Sequence, residues 1–198
     1  MATVRPKPVE LHAHAMDNLQ YIRGAMERAG LFTTVPGLGG VLMGSTALVA
    51  AWIAGPPTGE ARWLGAWAVE AALALLIGLA AALEKSRRTG TPLLRGPGRK
   101  FLEGFAPAMV AGVLLTAALS HAGATMFLPG IWLLLYGTAV VSGGANSVRV
   151  VPLMGACFMG MGAVALLMPA AYGNVFLAAG FGGLHIFFGT VIAVKYGG

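Results

Sequence analysis

Apolar positions gather into six runs, at about 36–54, 62–83, 101–120, 127–142, 150–169 and 175–194, divided by short intervals rich in Gly, Pro or charge. A hydrocarbon core of about 30 Å takes about 20 helical residues to cross. Six membrane-crossing helices are therefore predicted, making an all-α polytopic bundle over 36–198. Only His121 to Met126 separates the third run from the fourth, so a re-entrant pair is the alternative there. Ahead of the first run, residues 8–30 carry a different pattern. Leu19, Ile22, Met26 and Ala29 recur at three- and four-residue spacing, with Asn18, Arg23, Glu27 and Arg28 mostly elsewhere and Gly30 as a stop. This predicts an amphipathic helix in a cytoplasmic segment, 1–35, serving for docking or dimerisation or lying on its own bundle or the membrane surface. No secretory signal precedes it: the first 30 residues lack a continuous apolar stretch and an Ala-x-Ala site.

The short connections suggest three hairpins, pairing helices 1 with 2, 3 with 4 and 5 with 6. Each even helix carries an apolar run into glycine, at LALLIG (Gly78), IWLLLYG (Gly137) and LHIFFG (Gly189), which reads as a worn threefold repeat. Small residues let helix backbones approach where no hydrophobic effect separates helix from lipid. Gly40 and Gly44, then Gly155, Gly160 and Gly162, then Gly180, Gly182 and Gly183 are the candidates for such packing, within the bundle or between copies in a homo-oligomer.

Composition agrees with a bilayer as solvent: 57% of the 198 residues are hydrophobic, 10% are charged, and mean hydropathy is +0.77. A soluble domain carries about 25% charged residues. Thirteen Lys and Arg against seven Asp and Glu would otherwise suggest nucleic acid, but their placement marks one side of a membrane. Arg5, Lys7, Arg23 and Arg28, then Lys85, Arg87, Arg88, Arg95, Arg99 and Lys100, then Arg149 and Lys195 all fall on one side of a six-span arrangement; Arg62 alone falls opposite. Both termini are thus expected in the cytoplasm. The stretch EKSRRTGTPLLRGPGRK, 84–100, is read as a basic cytoplasmic loop. Arg95, Arg99 and Lys100, around its Gly-Pro-Gly, are candidates for contact with anionic lipid headgroups or an acidic partner, beside the plain reading that they only fix topology.

Two ionisable residues fall inside spans, where a charge costs at least about 2.5 kcal/mol. Glu70 lies eight residues past Arg62 and His185 eleven past Asn174, placing them about 12 and 16 Å from the same end. They are the candidate intramembrane polar site, as a directly bonded pair or a proton or cation site, with a packing role as the plainer reading. Other chemistry finds no constellation. His12 and His14 point different ways on a helix, and no metal site is expected. Haem would need a second histidine at the depth of His185, whereas His121 lies at a helix end. Cys157 is a lone thiol, the serines lack a spaced base and acid, and PGLGG and GFGG do not follow strands. No cofactor and no enzymatic activity are expected.

The segments MDNLQYIRGAMERAGLFTTVPG, GPGRKF, WLLLYGTAVVSGG, SVRVVPLMG and FGGLHIFFG resemble those of a family of bacterial multi-pass membrane proteins, over nearly the whole chain. The resemblance implies a bacterial inner membrane and carries across no substrate, cofactor or catalytic residue. A more distant likeness to small acid-resistance membrane proteins of three helical hairpins rests on the repeat and the glycine-rich helices, and is an analogy. The function expected is that of an interaction, scaffold or accessory subunit in the membrane. The alternative is a small-solute, ion or proton transporter using Glu70, His185 and the polar turn at Ser142 to Ser147; an enzyme acting on lipid ranks below both.

Overall fold

The structure, a computed structural model, describes residues 36–55, 60–90, 94 and 96–196, together with Met16, Asn18 and Leu19. The chain divides into two units, Met1–Leu31 and Phe32–Gly198. In the first, Met16, Asn18 and Leu19 are helical; the rest of the predicted N-terminal helix, with His12 and His14, lies outside the described residues, as does Arg95.

Among the described residues the second unit is all-helical and holds six helices long and apolar enough to span a membrane. They are α1 (Gly37–Ala54), α2 (Glu60–Thr89), α3 (Gly96–His121), α4 (Leu128–Gly143), α5 (Val150–Leu167) and a composite sixth span. That last span runs through a 3₁₀ turn (Ala170–Tyr172), α6 (Gly173–Leu177), a π-helix (Ala178–Leu184) and α7 (His185–Tyr196).

Helix ends differ from the ends of the apolar runs. Over 84–88 the chain is polar but made of good helix formers, and Arg88 Nε lies 2.7 Å from Glu84 Oε1 one turn away. So α2 continues to Thr89 and stops where Gly90 takes φ 67°. On the far side α3 starts at Gly96, which makes the Gly-Pro-Gly its first turn, and Arg99 pairs with Glu103 at 2.7 Å. The stretch expected as a basic loop is mostly the protruding ends of two helices, because water tolerates a helix whose side chains the bilayer would not.

Packing departs from a simple set of three hairpins. Helix α1 packs on α2 and α3 on α4, but α5 lies closest to α4, and the sixth span lies closest to α1. Both of these latter contacts are antiparallel and built on glycines seven residues apart. A Cβ on Gly44 would sit 2.7 Å from the Gly182 carbonyl oxygen, and one on Gly189 would sit 2.8 Å from that of Gly37. In the other pair, a Cβ on Gly155 would be 2.7 Å from Gly137 O and one on Gly162 2.8 Å from Gly130 O. Seven residues is close to two helical turns, so each glycine pair forms a flat strip against which the partner backbone lies. Gly40 belongs to the first strip, with Gly189 Cα 3.2 Å from where its Cβ would be. Phe158, Leu128, Leu133 and Leu177 fill the core between the two glycine-lined pairs. Helices α2 and α3 flank it: none of the α3 apolar window and 11% of the α2 window is buried, against 44% for α1 and for α4.

Candidate functional site

Buried polar side chains define the candidate site, and they fall at three levels along the bundle. At one end, Asn174 opens the sixth span. Its side-chain Nδ2 donates to the Ala51 carbonyl on α1 at 2.8 Å, and its Oδ1 accepts from the indole Nε1 of Trp67 at 3.0 Å and of Trp63 at 3.3 Å, both on α2. Trp63 stacks on Trp132 of α4, with ring centroids 5.4 Å apart and planes 3° from parallel. Trp132 Nε1 in turn donates to Thr116 Oγ1 on α3 at 2.8 Å. One residue type explains the cluster: an indole carries a large apolar body and a single N–H that needs an acceptor when buried. Five of the six spans meet here, around a recess of about 120 Å³ lined in part by Trp63, Pro129, Gly173 and Asn174.

Midway along the helices, His185 sits at the junction of the π-helix and α7, 5% exposed. Its Nδ1 is 2.9 Å from the Phe181 carbonyl, which can only accept, so Nδ1 carries the proton and donates. Nε2 of the neutral ring then accepts from the Tyr136 hydroxyl at 2.7 Å. Phe158 stands edge-on to the imidazole with centroids 5.2 Å apart, and Phe181 is stacked beside it at 6.1 Å. In a π-helix the wider turn leaves room at its carbonyls, and such segments collect at functional positions in helices; here the histidine ring occupies that room at Phe181.

Glu70 lies at a comparable depth between α2 and α1, 6% exposed. Its Oε1 is 2.9 Å from Thr46 Oγ1 on α1. The other carboxyl oxygen has no hydrogen-bond partner among the described residues. At the opposite end from Asn174, Lys85 is 8% exposed, and its Nζ reaches the Tyr196 carbonyl oxygen at 3.4 Å.

The two intramembrane residues singled out in the sequence are therefore both buried and both bonded across helices, but not to each other. Helix α1 supplies Glu70 with its partner, while both ring nitrogens of His185 are engaged with Phe181 and Tyr136. Of the remaining candidates, Gly40, Gly44, Gly155, Gly162 and Gly182 lie at backbone crossings. At Gly160 and Gly183 a Cβ would meet nothing within 4 Å. The physical reason is angular: Gly160 is five residues from Gly155, about 140° around the helix, and Gly183, the residue after Gly182 in the π-helix, is turned away from the face that meets α1. Arg99 and Lys100 are exposed at the start of α3, with Arg99 paired to Glu103. Among the described residues no group of three His, Cys, Asp or Glu could hold a metal ion.

Sequence reading missed Asn174, Trp63, Trp67, Trp132 and Tyr136. The available signal was the i,i+4 spacing of Trp63 and Trp67, which puts both indoles on one face of a helix. No protein family, curated protein or solved structure matches the chain.

Proposed function

We propose that the chain is a membrane-embedded interaction or accessory subunit, with α2 and α3 as the flank that meets a partner. The observation that carries this reading is the division of the bundle. Four spans bury glycine strips and aromatic side chains against one another, while α2 and α3 lean on one principal neighbour each and leave most of their apolar surface outward. Helix association in lipid is driven by close packing, so a helix held on one side has a face on which a second membrane helix can pack. The polar clusters support the same reading, since Asn174, Glu70 and His185 each bond between or within helices in a way that fixes helix positions. Orientation follows the positive-inside rule, with both termini in the cytoplasm of a bacterial inner membrane, where Arg99 and Lys100 at the start of α3 would face anionic headgroups.

Native mass spectrometry of the full chain released directly from its own membrane tests the proposal. The expected species is a complex with a second membrane subunit or a second copy. Ala106→Trp and Ala117→Trp, on exposed positions of α3, are expected to cut the associated fraction several-fold while leaving the monomer folded. A chain that emerges only as a monomer with bound lipid would overturn the proposal, as would association that both substitutions leave unchanged.

A further inference from the structure

The carboxyl of Glu70 has an arrangement that its packing role does not use up. Thr46 has one hydroxyl proton and several acceptors: Glu70 Oε1 at 2.9 Å, the Met43 carbonyl at 2.9 Å and the Leu42 carbonyl at 3.3 Å. With one proton it can serve one of them fully. Two complete arrangements result. In the first, Glu70 is a carboxylic acid whose Oε1–H donates to Thr46 Oγ1, and Thr46 donates to Met43 O. In the second, Glu70 is a carboxylate, and the Thr46 hydroxyl turns to donate to Oε1. Met43 O loses only an additional bond in the second state, because helix α1 continues through it. The heavy atoms need not move between the two.

We propose that Glu70 and Thr46 form a proton-binding site inside the membrane, between α1 and α2. Proton release swings the carboxyl O–H away from Thr46, breaks it by passing the proton to water, and turns the Thr46 hydroxyl toward the carboxylate left behind; uptake reverses each step. Oε2, without a hydrogen-bond partner among the described residues, is the oxygen assigned to exchange the proton. The surroundings isolate this site electrically. Helix α1, against which the carboxyl lies, has no titratable side chain between Gly37 and Ala54. On α2 the nearest ionisable residues are Arg62, eight positions before, and Glu84 and Lys85, fourteen and fifteen after. On the sixth span, packed against α1, the titratable groups are Tyr172 at its start, His185, bonded to Tyr136 of α4 and to Phe181, and Lys195 and Tyr196 at its far end. Of the other six acidic residues, Glu10, Asp17, Glu27, Glu60 and Glu84 lie outside the apolar runs, and Glu103, near the start of the third, is exposed and paired with Arg99. This inference goes beyond the interaction role and is tested on the purified chain without a partner, so neither result decides the other.

Infrared difference spectroscopy of the full chain in lipid nanodiscs, over the pH range in which it stays folded, provides the test. A protonated-carboxyl C=O band that titrates with pH and is lost in Glu70→Gln is expected. Thr46→Val, which removes the hydroxyl and keeps the shape, is expected to displace the midpoint by about one pH unit, tenfold in proton affinity, as befits one hydrogen bond to a charged group. On the unmodified chain, a hydrophobic carbodiimide, which adds the O–H of a carboxylic acid across its C=N bond, is expected to label the Glu70 peptide. That labelling should fall tenfold per pH unit above the midpoint. A band absent or unchanged across the range overturns the proposal. So does a carboxylate signal that responds to sodium at fixed pH and not to protons, which would make the site one for a metal cation.

Discussion

Asn174 is a single side chain that satisfies three buried groups on two other helices. A carboxamide carries both kinds of partner they need, since Oδ1 accepts two indole protons and Nδ2 donates to a carbonyl that also accepts from Gly55 N–H. Asn174→Leu leaves both indole N–H groups without an acceptor, a loss of about 1–3 kcal/mol per unsatisfied group, less where a membrane water or lipid oxygen substitutes. Asn174→Asp keeps the acceptor for the indoles but sets a carboxyl oxygen against Ala51 O where the amide had donated. Thermal unfolding in mild detergent, followed through tryptophan emission, should rank the chains native, then Asp, then Leu, with the emission shifting as Trp63 and Trp67 lose their setting. Equal midpoints for all three would show the cluster to be without weight. In the sequence Asn174 reads as a loop residue, since a polar side chain beside Gly173 at the edge of an apolar run is what a connection looks like. Glu70 and His185 were legible because an ionisable residue inside an apolar run is rare. Their partners were not, because Thr46 and Tyr136 are ordinary members of their own helices and only the packing of α1 on α2 and of α4 on the sixth span selects them.

At the level of the helix, the six spans were legible from the apolar runs, but their ends and their faces were not. The end of α2 lies six residues past the apolar run, because backbone hydrogen bonding continues in water while hydropathy reports only the bilayer. Among the glycines, composition alone does not separate those that pack from those that face outward; the seven-residue spacing does. Gly155 and Gly160 make the distinction measurable. Gly155→Ala places a methyl 2.7 Å from the Gly137 oxygen and 2.8 Å from the Val141 nitrogen, and separating α4 from α5 to admit it is expected to cost about 1–3 kcal/mol. Gly160→Ala meets nothing and gains helix propensity, so its stability should match or exceed the native chain by up to about 1 kcal/mol. Detergent-resistance midpoints measured in parallel should move in opposite directions. If both substitutions destabilise alike, Gly160 faces a second chain, which is the interaction role acting through α5. The worn repeat gains a structural meaning on the same footing. Gly137 and Gly189 both lie at backbone crossings, and Thr138 and Thr190 after them both bond the carbonyl four residues back. Gly78, their counterpart on α2, faces only the Met43 side chain at 3.3 Å. The motif is kept on the helices that pack tightly and is relaxed on the flank.

Taken whole, the bundle has two chemically different ends. Arg62, the one basic residue described at the end marked by Asn174, donates to the Ile53 carbonyl at 3.1 Å, where α1 ends and α2 begins. The other seven described Lys and Arg, namely Lys85, Arg87, Arg88, Arg99, Lys100, Arg149 and Lys195, lie at or near the opposite end. Contacts independent of charge place them there: Lys85 reaches Tyr196 O, and a Cβ on Gly104 of α3 would touch Ser142 at the end of α4. Hydropathy and charge give the same division without any helix packing, which is why the gathering of basic residues at one end was readable from the sequence while helix neighbours were not. Membrane insertion retains basic ends on the cytoplasmic face, so the Asn174 end is expected outside. In a Cys157→Ala background, His121→Cys and Tyr172→Cys introduce single thiols at that end and Asn146→Cys one at the basic end, all at exposed positions. A membrane-impermeant maleimide added to intact cells should label the first two at once, and the third only after the membrane is permeabilised. The reverse pattern would invert the protein, placing Arg99 and Lys100 away from the anionic leaflet and the α2–α3 connection outside the cell. Labelling of all three in intact cells would mean that the six helices do not all cross.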